Sequence, residues 1–175
     1  MNTQSPNLSS QQTTHFRRIA FVIYPDCEIL DLCGPFEAFW FADRMLGLLG
    51  RTQEPSYQLL VLGAAPGPIR TMSGMEVIAT HRYGDVTDGL DTLVVVGGFG
   101  CEEASKDQAL VEWVRSIAPK ARRVASICSG AFILAAAGLL HHRRVTTHWM
   151  YSDLLAKSYP SIEVEIGRAS CRERV

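Results

Sequence analysis

Apolar positions along the chain fall into short unbroken runs, and between them they recur every three or four residues. Ile19-Ala-Phe-Val-Ile-Tyr24 is one such run, ended by Pro25-Asp26. It predicts a strand buried on both faces. From Asp31 to Leu49, the residues Leu32, Phe36, Phe39, Trp40, Met45, Leu46 and Leu49 keep helical spacing. Gly34-Pro35 is expected at the start of that helix, where proline suits a first turn. Tyr57–Leu62 predicts a second strand closed by Gly63, and Ile69–Thr80 a small β excursion around Ser73-Gly74. Thr92–Val96 predicts the next core strand, leading into Gly97, Gly98 and Gly100. A helix is expected from Ser105 to Ala118, with Leu110, Val111, Val114 and Ile117 on one face and Pro119 as its stop. Then come a short strand at Arg123–Ile127, a tight turn at Cys128-Ser129-Gly130 and a small-residue helix at Ala131–Leu140. Val145–Thr147 reads as strand and Trp149–Ser158 as helix.

Strands alternate with helices, so the expected class is α/β, with a mainly parallel sheet covered on both faces. Sites in such sheets lie at the carboxyl ends of the strands. Asp26–Glu37, Gly97–Cys101 and Cys128–Gly130 all fall there. With 175 residues, one domain is expected. Hydrophobic residues at 47% and charged residues at 20% exclude wholesale disorder. A net charge of −1 argues against a dedicated nucleic-acid module, whose footprint is a basic excess. The apolar run Ala131–Leu140 is half the roughly 20 residues a membrane span requires, so no membrane association is expected.

The five cysteines are irregularly spaced with no C-x-x-C, which fits free thiols in a cytoplasmic protein. Neither histidines nor cysteines show metal-ligand spacing, so no metal and no cofactor are expected. Residues 1–16 are polar, lack a signal-peptide core and read as a disordered leader. The run Ile166-Gly-Arg-Ala-Ser-Cys-Arg-Glu-Arg-Val175 resembles the in-frame translation of a common sequencing adapter. Residues 166–175 are therefore expected to be non-native, with the domain over 17–165 cut short near Glu165. Without them the charge becomes −3 and Cys171 drops out.

Ser126-Ile-Cys-Ser-Gly130 has the form small-x-nucleophile-x-Gly between a strand and a helix, the mechanical pattern of a nucleophile elbow. Small flanking residues permit the sharp turn. It places the Cys128 sulfur at a helix start, where the helix dipole favours thiolate. The Ser129 amide is a candidate donor to a developing oxyanion. The bland alternative for Cys128 is a buried structural thiol. Asp31 and Glu37 are candidate proton carriers beside that thiol, against the alternatives of a helix cap and a solvated first-turn acid. Gly97-Gly98-Phe99-Gly100 lacks dinucleotide or P-loop spacing, and its use would be backbone amides close to a small ligand. His148 is a candidate base or counter-ion for Cys128, or else structural. His141-His-Arg-Arg144 is explained by its place at a helix end.

Together these segments resemble the ThiJ/PfpI superfamily, also called class I glutamine-amidotransferase-like. The likeness is greatest to the N-terminal domain of GlxA-type regulators of the AraC family. It is carried by Ile19–Tyr24, Asp31-Leu-Cys-Gly-Pro-Phe-Glu-Ala-Phe39, Leu93–Gly98, Val124–Leu139 and Val145-Thr-Thr-His-Trp149, and it spans about Arg17 to Glu165. The resemblance implies a flavodoxin-like three-layer sandwich, here missing its last elements, and a homodimer. It matches Cys128 to the elbow cysteine, Glu37 to the acid that partners it in many members, and His148 to the nearby histidine. Asp31 matches an aspartate that isonitrile hydratases use with their cysteine. Ser129 stands where family proteases carry histidine, and Trp149-Met150 follows His148 where amidotransferases carry a His-x-Glu pair. Neither of those activities is expected.

Two readings follow. One is a small-molecule-sensing domain of a transcription regulator, with DNA bound only through a helix-turn-helix domain absent from this chain. The other is a stand-alone cysteine-dependent hydratase or lyase. There Cys128 attacks an electrophilic carbon, Asp31 or Glu37 moves the proton, and the Ser129 and Gly98 amides steady the adduct.

Overall fold

Ile19 to Tyr24 is buried throughout. This run forms the centre of the computed structural model, which describes residues 16–165. The expected tail, and all of the leader except Phe16, lie outside those residues. In chain order the elements are β1 (Arg17–Val22), α1 (Ile29–Leu48), β2 (Tyr57–Gly63), β3 (Gly67–Arg70), β4 (Glu76–Ala79), β5 (His81–Arg82) and β6 (Leu90–Val95). They continue with α2 (Cys101–Ala104), α3 (Gln108–Ile117), β7 (Arg123–Ser126), α4 (Ala131–Ala136), β8 (Arg144–Val145), α5 (Ser152–Ser158) and β9 (Glu163–Val164).

The central sheet has five strands in the order β5-β2-β1-β6-β7, and every neighbouring pair is parallel. Register runs from Arg17 opposite Tyr57 to Val22 opposite Leu62 on one side of β1, and from Ile19 opposite Thr92 to Val22 opposite Val95 on the other. The chain leaves β1 toward β2 through α1, and leaves β6 toward β7, in the opposite direction, through α3. Right-handed crossovers in opposite directions put α1 and α3 on opposite faces, which makes three layers. The order reverses between β1 and β6, and in open α/β sheets the carboxyl ends of the strands at such a reversal are where sites are built. β3 and β4 form the expected excursion, an antiparallel pair.

Local chemistry moves several boundaries. α1 starts at Ile29 because the Glu28 carboxylate caps it, accepting from the Leu30 N–H at 3.1 Å. Pro35 therefore sits inside the helix, not in its first turn. It removes the N–H that would have met the carbonyl of Asp31. The helix expected from Ser105 begins at Gln108 instead, because Asp107 accepts from the N–H groups of Ala109 and Leu110 at 3.0 and 3.3 Å and so caps it there; the short α2 lies before the expected start. α4 stops at Ala136, two residues before Gly138, whose φ of +75° turns the chain out of the helix. Val145 does not join the central sheet; β8 pairs with β9 in a separate parallel ribbon.

Candidate functional site

Two loops at the switch point hold each other. Cys27 pairs with Gly98 in an isolated antiparallel bridge, and the Glu28 N–H donates to the Gly97 carbonyl at 2.8 Å. The first turn of α1 is thereby fixed over the Gly97-Gly98 loop. Asp31 projects from that turn, and its Oδ2 accepts from the Gly97 N–H at 3.0 Å.

The elbow enters from the other side. Cys128 has φ +54°, the left-handed conformation that non-glycine residues seldom take. Such a residue costs on the order of 1–3 kcal/mol and persists only where its surroundings hold it. The Gly130 N–H donates to the Ile127 carbonyl, and the Ile127 N–H to the Val95 carbonyl, each at 2.9 Å. Ser129 Oγ accepts from the Gly98 N–H at 2.9 Å and donates to the Gly98 carbonyl at 3.0 Å. Thr147 Oγ1 donates to the Cys128 carbonyl at 2.8 Å.

Gly97 is the floor on which these parts converge. A Cβ there would lie 2.7 Å from Asp31 Oδ2, 2.7 Å from Cys128 Cβ and 2.8 Å from the Ser129 amide nitrogen. Asp31 Oδ2 and Cys128 Cβ are thus separated by no more than twice 2.7 Å, and only a residue without a side chain fits beneath them.

The structure brings Asp31, Cys128 and Ser129 together. It does not bring Glu37 to them. Six helical residues rotate a side chain by about 240°, so the face that carries Asp31 to Gly97 turns Glu37 away. Glu37 is exposed. Gly98 is at the site, but its N–H is already given to Ser129 Oγ, so the Ser129 amide remains the better-placed donor for an adduct. His148 is half-buried. Its Nδ1 accepts from the Met150 N–H at 3.3 Å, and its ring lies 5.6 Å from that of Trp149 and 6.3 Å from that of Tyr151. With Nδ1 accepting, the assigned tautomer carries its proton on Nε2. Among the described residues no hydrogen bond joins His148 to Cys128; it caps the turn Trp149–Tyr151. Thr147 belongs to the site although it was not singled out for a role, and Gly97, expected only as part of an amide-presenting loop, serves as its floor. The only signals for them were the glycine doublet and the threonine beside His148.

Burial pushes the Cys128 thiol up, and the Asp31 carboxylate pushes it further. The backbone and hydroxyl of Ser129 act the other way. Burial likewise raises Asp31, opposed by the Gly97 N–H and by His148 and reinforced by Glu28. The pair therefore favours a protonated thiol at neutral pH. Among the described residues no group of three His, Cys, Asp or Glu is placed to hold a metal ion, and no helix is long and apolar enough to cross a membrane.

Asp31→Asn tests this coupling, since it keeps an acceptor for the Gly97 N–H and removes the charge. Alkylation of Cys128 by iodoacetamide at pH 8 is expected to rise on the order of tenfold. Stability should move too. A carboxyl raised in the folded state stabilises fully below its ordinary value of 3.8 and loses that contribution as pH rises through the folded value. The asparagine variant is therefore expected to melt higher than wild type at pH 7. An unchanged alkylation profile would show that the two groups do not interact.

The family model described as the DJ-1/PfpI family matches residues 17–166. An uncharacterized protein from the cpoL 5′ region of Streptomyces lividans is 36% identical over 144 residues, covering 82% of this chain and 96% of that protein. Isonitrile hydratase of Pseudomonas putida is 33% identical over 138 residues, covering 79% of this chain and 55% of the hydratase. The HTH-type transcriptional regulator CdhR of Pseudomonas aeruginosa is 32% identical over 144 residues, covering 82% of this chain and 40% of the regulator. The chain thus spans about half the length of the latter two. A crystal structure of a ThiJ/PfpI family protein from Pseudomonas syringae superposes with a TM-score of 0.74 at 24% identity, over 97% of this chain and 66% of that one, which shows the shared fold.

Proposed function

We propose, because this chain belongs to the DJ-1/PfpI family, that it builds a small-molecule site on Cys128 and Asp31 and is the sensing domain of a transcription regulator. DNA would then be bound by a helix-turn-helix domain that is not part of this chain. The observation that carries the sensing role is the likeness to CdhR along 82% of this chain. Burial and the adjacent carboxylate raise the Cys128 thiol, which is compatible with a binding role. The test is to sequence the source gene through the Glu165 codon to its stop. A frame that continues through two helix-turn-helix units supports the regulator, and a stop soon after the sandwich closes overturns it.

One observation favours a second reading, a cysteine-dependent hydratase. Asp31 stands beside the thiol and its own carboxyl is raised, which suits a general base. Cys128 Sγ bonds to the electrophilic carbon of an isonitrile while its proton passes to the Asp31 carboxylate and from there to the same carbon, giving a thioimidate; water then adds to that carbon and the C–S bond breaks, releasing the N-substituted formamide and the free thiol. The Ser129 amide faces the adduct. Turnover of isonitriles by the complete protein, lost in Cys128→Ala, would establish this reading; no turnover would remove it.

We also propose a homodimer, formed through the outer face of α1. Leu30, Cys33, Glu37, Trp40, Phe41, Arg44 and Leu48 form one exposed stripe at helical spacing. Trp40 and Phe41 are 52% and 60% exposed, large areas for aromatic side chains to leave in water. The stripe is self-complementary. Two copies crossing antiparallel about a two-fold axis near Trp40 and Phe41 set Glu37 of one against Arg44 of the other. Trp40→Asp is expected to weaken self-association by about tenfold or more in analytical ultracentrifugation, with the fold retained. Association equal to wild type would rule out this face.

A further inference from the structure

Thr147 lies one residue before His148 and is half-buried. Its hydroxyl donates to the carbonyl of Cys128 at 2.8 Å. The other ties of the elbow hold residues beside Cys128: the Ile127 N–H on β6, and Ser129 Oγ on Gly98. Thr147 holds the peptide that leaves Cys128. That peptide's oxygen belongs to Cys128 and its N–H to Ser129. In a planar trans peptide the two point in opposite directions, so fixing one aims the other. The Ser129 nitrogen is the one that converges with Asp31 and Cys128 over Gly97.

From this geometry we infer that Thr147 is a positioning residue. By holding the Cys128 carbonyl on the side away from the site, its hydroxyl aims the Ser129 N–H at the Cys128 sulfur and at any adduct formed on it. The assignment rests on the reading of Cys128 as the centre of the site, and it holds whether that site senses or catalyses. Thr147 and His148 are neighbours, so the same bond also sets the distance from the elbow to the histidine turn. Valine in place of Thr147 keeps the shape and removes the donor, whereas serine keeps the donor.

The test is the rate of iodoacetamide alkylation of Cys128 against pH, read by mass spectrometry on the tryptic peptide Val124–Arg143, which contains no other cysteine. Glutathione alkylated in the same mixture is the reference thiol. With its aimed N–H lost, the sulfur in Thr147→Val is expected to react about fivefold more slowly at pH 8, with its profile moved to higher pH. Thr147→Ser is expected to stay within about twofold of wild type. Partial unfolding would expose Cys128 and speed the reaction, so a slower rate separates loss of aim from loss of fold. A valine variant with the wild-type profile, or a serine variant as slow as valine, overturns the inference. If wild-type Cys128 reacts as it does in the urea-unfolded chain, no built thiol site exists; that result overturns the Cys128-centred reading and the role of Thr147 with it.

Discussion

Gly130→Ala is expected to lower stability by about 4 kcal/mol or more, or to prevent folding. A Cβ at this position would lie 2.4 Å from the Val95 carbonyl oxygen, 2.7 Å from that of Val96 and 3.0 Å from the Val95 carbonyl carbon. All three atoms are backbone of Val95 and Val96, which are fully buried at the end of β6, and β6 pairs with β1 and β7. No side chain can swing aside to relieve the contact, and moving the strand breaks two ladders. The sign makes the test sharp. Gly130 has φ −57°, a conformation that alanine adopts freely. Where space is open, such a substitution stabilises by about 0.4–1 kcal/mol through the unfolded state. Urea denaturation separates the outcomes, and a stability within about 1 kcal/mol of wild type would mean the elbow helix does not sit this close to β6.

Phe21→Ala is expected to cost about 3–5 kcal/mol. Phe21 is fully buried in β1, with its ring 5.7 Å from Phe36 and 6.4 Å from Phe39 on the inner face of α1. Phe39 in turn meets Tyr57 of β2 at 5.3 Å. Removing the ring opens a cavity between sheet and helix that neither can fill, since β1 is hydrogen-bonded on both sides. The first turn of α1 has separate anchors in the bond from Glu28 to Gly97 and in that from Gly97 to Asp31. In the folded fraction the Cys128 alkylation profile is therefore expected to match wild type while the melting temperature falls. A stability change below about 1 kcal/mol would mean that α1 is not seated on Phe21.

The core strands were legible because residues buried on both faces are apolar at nearly every position, as in Ile19–Ile23 and Leu93–Val96. The elbow was legible because small residues on both sides of Cys128 have little other reason to bracket a cysteine at a strand end. The start of α1 was not. Its cap is Glu28, a residue type with no strong cap preference, and Pro35 suggested a later beginning. That error carries into the site. A helix thought to begin near Gly34-Pro35 leaves the roles of Asp31 and Glu37 open, whereas a helix from Ile29 points them in different directions. The work of Thr147 and the occupied Gly98 N–H were out of reach. Both depend on which loop meets which across a sheet whose strand order no local pattern encodes.

The all-parallel order of the central sheet has a consequence for how the molecule comes into being. No two adjacent strands of that sheet can be joined by a hairpin, so each pairing must wait for a crossover to be completed. β1 is made early, but its partner β6 emerges only at Leu90 and the elbow after Ser126. During synthesis, the apolar inner face of α1 and one edge of β1 stay uncovered until then. Folding is expected to be slow and non-local, and dependent on chaperones in the cell. Because Asp31, Gly97 and Cys128 come from three separate segments, the Cys128 site is among the last features to form, and its reactivity can serve as a clock for the completion of folding.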